Sequence, residues 1–329
     1  MTGPRRVALF GECMIELRGE AFGTLQQGFG GDTLNTAVYL ARLCRDEDVL
    51  VSYATALGTD VFSDRMLAAW RAEGIDLSLV HRLDGRLPGL YVIQVDSSGE
   101  RQFLYWREAS AARSYFAAPN TPLEEAAARD LSALYLSGIS LAILPPEGRE
   151  RLLATQERVR ANGGLVVFDN NFRPRLWSSF ADARTIYDRA YALSDIVLVT
   201  LDDEVALREE TSVDRVLTSV LELEAAEVVV KRGAEPTLVR VAGAPLASVA
   251  VETIPCVVDT TAAGDSFAGA YLAMRLTGVP PVAAAGAANR LAAVVIQHPG
   301  AIIPADVMPK VQTLLTADGT WEAQIYPVG

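Results

Sequence analysis

Along the chain, short continuous apolar runs alternate with longer stretches in which apolar residues recur every three or four positions. The runs RRVALFGE (5–12), LVSYATALG (50–58), ALYLSGIS (133–140), GLVVFDNN (164–171), DIVLVTL (195–201) and EVVVKRG (227–233) each predict a strand. Several lack polar alternation, as expected of strands covered by helices on both faces. Between them, helical spacing predicts helices over Thr33–Arg45, Ser63–Glu73, Pro146–Ala161, Val213–Glu224, Gly264–Leu276 and Val282–Gln297. In the first of these, Leu34, Val38 and Ala41 share one face. Such alternation is the signature of a parallel α/β sheet.

One segment breaks the rhythm. GLYVIQVDSSGERQFLYWRE (89–108) reads as two β runs joined by a Ser-Ser-Gly turn. With strand-like MIELRG (14–19) it predicts a small β subdomain, drawn from about 14–30 and 87–108, placed as a flap over a cleft. The alternative is an antiparallel edge of the main sheet. There is no internal repeat, low-complexity tract or long linker, so 1–329 is expected to form a single domain.

Charge narrows the function. Asp and Glu number 41 against 29 Lys and Arg, a formal net charge of −12. That argues against nucleic acid, whose binding needs a clustered basic face. An anionic substrate would be repelled by the overall field, so its site must contain its own arginines. No apolar run is long enough for a membrane helix, and MTGPRRVALFGE reads as a first strand rather than a leader. Cys13, Cys44 and Cys256 are an odd, scattered set, expected as core residues of a reduced, cytoplasmic protein. His81 and His298 are isolated, and the four tryptophans (70, 106, 177, 321) read mostly as packing, with only Trp106 inside a site motif.

The chemistry concentrates in VVDTTAAGDSFAGAYLA (257–273). Small residues lead into helical spacing, which presents unpaired backbone N–H groups at the positive end of a helix dipole, a ready anion site. Asp265 falls in the first turn, where an ordinary N-terminal acid would look the same. Near the N-terminus, GFGGDTLN (28–35) lets backbone approach a ligand at Gly30 and Gly31 and offers Asp32 and Asn35 to hydroxyls. Alone, it could be a turn capping a helix.

Together the two segments resemble the signatures of the ribokinase-like (PfkB) sugar kinases: D-T-x-G-A-G-D, here D-T-T-A-A-G-D at 259–265, and Gly-Gly-x-x-x-Asn at 30–35. The resemblance runs from about Val7 to Pro304. It implies a three-layer α/β/α core with a small β-sheet lid, and ATP and Mg²⁺ as cofactors. It implies that Asp265 is the catalytic base and that the amides of Ala262, Ala263 and Gly264 stabilise the transferred phosphoryl group. Ala262 stands where the family usually has Gly. FDNNFRPRLW (168–177) matches D-x-N-x-R through Asp169, Asn171 and Arg173, making Arg173 the cation between γ-phosphate and substrate, with Asn171 and Phe172 beside the nucleotide. VVVKRGAEP (228–236) resembles the nucleotide-binding strand-turn and implies contacts from Lys231, Arg232, Gly233, Ala234 and Glu235, with Pro236 in place of a second Gly. TLDDE (200–204) matches N-x-x-E except at Leu201, implicating Glu204 in metal binding, although an exposed acidic helix start would look alike. Asn289 and Gly300-Ala301 resemble segments flanking adenine.

For the substrate, the resemblance implies a sugar acid, 2-keto-3-deoxygluconate, phosphorylated at its C6 hydroxyl. It places Gly31, Asp32, Thr33, Leu34 and Asn35 beneath the sugar, with Asp265, and Tyr91, Tyr105, Trp106 and Arg107 above it on the flap. Arg107 or Arg173 would meet the carboxylate, which a guanidinium fork matches well. Arg107 could instead stack on the aromatics for packing. Flaps of this family often pair, so a homo-oligomer is expected. The alternatives are a fructokinase or ribokinase of the same fold, or a non-catalytic sugar-acid sensor. G-x-G-x-x-G and the Walker lysine motif are both absent, which argues against a dinucleotide enzyme.

Overall fold

The computed structural model describes residues 4–95, 101–316 and 324–326. The Ser97-Ser98-Gly99 turn and Trp321 lie outside the described residues. The six apolar runs form β1 (Arg5–Phe10), β4 (Val49–Leu57), β8 (Leu131–Ser137), β9 (Leu165–Asp169), β10 (Ile196–Thr200) and β11 (Glu227–Arg232). With the short β5 (Val80–Arg82) they make a parallel array in the order β11-β10-β9-β8-β1-β4-β5.

Alternate residues of each strand serve opposite faces. In β1, Val7 and Leu9 pack under the helices Asp32–Leu43, Ala263–Leu276 and Pro281–Val295. Ala8 and Phe10 pack under the helices Pro146–Ala161 and Phe180–Ala192. Both faces are therefore dry, which is why these strands read as continuous apolar runs. The result is the three-layer α/β/α core. Cys13 and Cys44 are buried in it as expected, but Cys256 is exposed. Trp70 and Trp177 are buried and Trp106 is exposed. Among the described residues no helix is long and apolar enough to cross a membrane.

The sheet is not wholly parallel. Three antiparallel strands, β12 (Glu235–Val241), β13 (Leu246–Val249) and β14 (Gln324–Tyr326), extend it beyond β11. Hairpin returns at a sheet edge need no long apolar run, so periodicity did not reveal them. The flap is a separate sheet and not an edge of the main one. Its order is β3-β2-β6-β7, from β3 (Leu25–Gly30), β2 (Met14–Gly19), β6 (Leu90–Val95) and β7 (Arg101–Trp106).

Among the buried polar groups of the described residues, one amide has neither of its atoms bonded. Gln156, on the Pro146–Ala161 helix, is fully buried, and neither atom of its amide has a partner among the described residues. Unpaired buried polar groups cost about 1–3 kcal/mol. Gln156→Met keeps the length and removes the polar atoms, so thermal unfolding should show a raised Tm; a lowered Tm would contradict this reading.

Candidate active site

A cleft of about 770 Å³ opens between the small sheet and the C-terminal ends of the parallel strands, where open α/β sheets place their ligands. Its size suits a small ligand.

At its floor, the helices Asp32–Leu43 and Ala263–Leu276 lie close together because Gly269 has no side chain. A Cβ there would come within 2.9 Å of the Thr36 carbonyl oxygen and of Tyr39. That approach lets Asn35 Nδ2 donate to Asp265 Oδ2 at 2.8 Å and Thr36 Oγ1 donate to the Asp265 carbonyl at 3.2 Å. Asp265 is thus held in the first turn of its helix, facing the cleft. Burial, and then the neighbouring Asp32 carboxylate, push its pKa up to about 7. Burial also raises Asp32, although Ser137 Oγ and Asn171 Nδ2 both donate to its Oδ2. A carboxylate poised near neutrality is suited to accept a proton. Activity in kcat/KM should therefore rise with pH through about 7 and level above it. Asp32→Asn should move that limb to lower pH by removing the repelling charge, as a pH profile of both proteins would show.

Ala262 precedes the helix in a left-handed conformation, φ 60° and ψ 16°. This is the conformation glycine adopts freely and alanine resists by about 1–2 kcal/mol. Ala262→Gly relieves that strain against a smaller loss of chain entropy, so stability should rise by up to about 1 kcal/mol with turnover retained. Chemical denaturation checks it; a destabilised variant would count against strain here. Of the three anion-site amides expected, that of Ala263 donates to the Thr260 carbonyl at 3.2 Å. Among the described residues, those of Ala262 and Gly264 are left for a ligand.

Beside this turn, Lys231 Nζ donates to Asp169 Oδ2 at 2.9 Å, while Asp169 Oδ1 is buried without a partner among the described residues. Arg173 pairs with Asp203 at 3.2 Å. Burial disfavours the Arg173 charge, but Asp203 and Asp32 outweigh it and hold its pKa above the ordinary value. Asn171, Arg173 and Lys231 line the cleft, and Phe172 is packed in the core.

Other expected site residues lie apart from this cleft lining. Glu204 is buried, with its oxygens taken by Asn170, Tyr191 and Arg208, so it faces away from any metal in the cleft. The cleft carboxylate on that helix is Asp203 instead. Gly233, Ala234 and Glu235 form an exposed turn beside half-buried Arg232, which pairs with Glu235, and none of the four is in the lining of this cleft. Asn289 is buried between Thr237 and the Ala250 carbonyl and does not reach the cleft. Gly300 donates its N–H to Asp259, and the Ala301 carbonyl accepts from Tyr39, so both tie chain segments together.

At the sugar end, helical spacing decides which of the Gly31–Asn35 residues face the ligand. Asp32 and Asn35 line the cleft; Thr33 and Leu34 turn into the core, Thr33 bonding Tyr53 at 3.1 Å. Gly31 is required by its own chain, since a Cβ would meet the Glu12 carbonyl oxygen at 2.1 Å. On the flap, strand alternation puts Tyr105 and Arg107 inward and Trp106 outward, 59 % exposed. Tyr91 lines the cleft and donates its hydroxyl to Glu16.

Arg107 is not a free cation. Its Nε donates to Glu12 Oε2 at 2.8 Å, its second nitrogen binds the same oxygen, and both side chains are buried. Arg175, which the sequence reading passed over within RPRLW, lines the cleft and lies over the Tyr105 ring at 5.4 Å. Among the described residues it has no ion-pair partner. Glu12 was also missed, although it sits in GEC directly after β1, at a strand end where ligand groups gather.

Comparison with known proteins fits this geometry. The sequence pattern described as "pfkB family carbohydrate kinase" matches residues 4–308. The 2-dehydro-3-deoxygluconokinase of Escherichia coli is 48% identical over 307 residues, covering 93% of this chain and 99% of that one. The fructokinase of Salmonella typhimurium is 28% identical, covering 84% and 86% respectively. A crystal structure of a putative ribokinase II from E. coli in complex with ATP and Mg²⁺ superposes with a TM-score of 0.80 over 95% of this chain and 98% of that one, at 23% identity, which speaks to the fold alone.

Proposed function

Since this chain belongs to the pfkB family of carbohydrate kinases, we propose that its cleft carries out ATP-dependent phosphorylation of 2-keto-3-deoxy-D-gluconate at the C6 hydroxyl. The observation that carries the reading is Asp265: a carboxylate raised to about 7, pinned by Asn35 at a helix N-terminus beside unbonded amides. The high identity to 2-dehydro-3-deoxygluconokinases over nearly the whole chain selects the sugar acid over fructose.

In this account Asp265 accepts the proton of the C6 hydroxyl as that oxygen turns toward the γ-phosphate. The Ala262 and Gly264 amides, with Lys231 and Arg173, offset the charge developing on the transferred group. Binding of the acid end falls to Arg107 and Arg175, the two arginines that flank Tyr105.

Magnesium would neutralise phosphate charge when bound. The residues fit it in one particular way. Among the described residues no three His, Cys, Asp or Glu side chains converge on one point. Asp169 and Asp203, however, face the phosphate half, and Asp169 Oδ1 lacks a partner. That suits an ion held mainly by phosphate oxygens and water, as Mg²⁺ usually is.

On the outer face of the small sheet, Leu104 and Trp106 are exposed. A second copy covering them would account for that surface, and a single protomer mass on light scattering would contradict it.

Phosphorus NMR of the product tests the site of transfer. A phosphate coupled to the C6 methylene protons is expected; coupling to a methine proton would place the transfer on another hydroxyl and remove Asp265 from the proposed role.

A further inference from the structure

Four cations line the cleft: Arg107, Arg173, Arg175 and Lys231. The protein around them is acidic overall, and acidic side chains outnumber basic ones in the lining as well. An anionic ligand therefore needs a positive charge that no carboxylate of the chain has already taken.

Three of the four are taken. Asp169 holds Lys231 at 2.9 Å and Asp203 holds Arg173 at 3.2 Å, both in the phosphate half. At the acid end, Arg107 is buried against Glu12, whose Oε2 accepts from two of its nitrogens. That pair is neutral as a unit, so Arg107 can offer a ligand a donor but no net charge. Arg175 differs on each count. It is exposed, it lines the cleft, and among the described residues it makes neither a hydrogen bond nor an ion pair.

Arg175 is nevertheless placed. Its guanidinium carbon lies over the Tyr105 ring, 5.4 Å from the centroid. Tyr105 belongs to β7 of the flap, and Arg175 to the short helical turn Pro174–Leu176 of the core, so the two meet across the cleft. Stacking on an aromatic ring engages the face of a guanidinium and leaves its in-plane N–H donors unused. A fork positioned by its face, with its donor edge open, matches a carboxylate.

We infer that Arg175, rather than Arg107, is the specificity-determining residue that separates acid from neutral sugars. This rests on the sugar-acid reading and divides between two arginines a role that the reading gives to both. Losing the ligand carboxylate leaves Arg107 still paired with Glu12, whereas Arg175 is left with no counter-charge from the described residues.

The matched neutral analogue is 3-deoxyfructose, in which a hydroxymethyl group replaces the C1 carboxylate while the C2 ketone, the C3 methylene and the C6 hydroxyl are unchanged. The experiment measures kcat/KM for it and for 2-keto-3-deoxygluconate with Mg-ATP. The wild type should prefer the acid by roughly ten- to a hundredfold. In Arg175→Gln that preference should fall close to unity, and Arg175→Lys should keep part of it, since the charge remains but the fork is lost. The double variant Glu12→Gln with Arg107→Met, which strands no buried charge, should keep the wild-type preference whatever its absolute rate. A preference that persists in Arg175→Gln, including through equal losses on both compounds, overturns the assignment, as does its collapse in the double variant. Should the double variant not fold, Arg175→Gln decides alone. A wild type that turns over both compounds equally well removes the sugar-acid reading and the assignment with it.

Discussion

Asp265→Asn is expected to lower kcat by roughly 10³-fold while leaving the KM for the sugar within a few-fold of wild type. The amide has the shape of the carboxylate, and its oxygen can still accept from Asn35 Nδ2, which donates to Asp265 Oδ2 at 2.8 Å. What it loses is the capacity to take a proton. The same substitution should stabilise the fold above neutral pH. The native pKa is raised to about 7 from 3.8, so between these values the folded state binds more protons than the unfolded one. Stability therefore falls as pH rises through that window, and the full cost is present above pH 7. Removing the charge should restore on the order of 2–4 kcal/mol at pH 8, with little gain at pH 4. Single-turnover kinetics and urea melts at the two pH values check both parts. A variant that turns over normally, or gains equally at both pH values, would remove the base from the mechanism.

The second large effect is expected at Arg173. Its guanidinium lines the cleft and is held by Asp203. Arg173→Ala should cut kcat by roughly 10²–10³-fold, since phosphoryl transfer depends on positioning and charge offset more than on covalent chemistry. Arg173→Lys should recover little, because a point charge does not reproduce a fork that grips two groups at once. Loss confined to the KM of the sugar, with kcat intact, would instead make Arg173 a ground-state binding residue.

Much of this was legible before the structure. Strands such as DIVLVTL and EVVVKRG declare themselves because both faces are dry, and D-T-T-A-A-G-D declares its turn because small residues can do little else there. The small sheet could be foreseen from the 89–108 hairpin. Its edge strand β3 is rich in Gln and Gly and mostly exposed, and it shows no apolar period to read. What stayed hidden was pairing between distant segments. Nothing in LYWRE announces that Arg107 is claimed by Glu12, 95 residues away. Nor does TLDDE reveal that Glu204 turns inward to Tyr191 and Arg208 and leaves Asp203 to face the cleft. Asn289, Thr33 and Leu34 lie outside the cleft lining for a related reason. A motif names a stretch of chain, whereas helix periodicity and partner choice decide which of its side chains reach the ligand.

The account is tested most directly by ADP release with Mg-ATP and 2-keto-3-deoxygluconate, fructose, ribose and gluconate compared side by side. It predicts strong turnover of the keto-deoxy acid and little of the others. Preference for fructose or ribose would contradict the sugar-acid reading, and silence on all four would contradict catalysis itself.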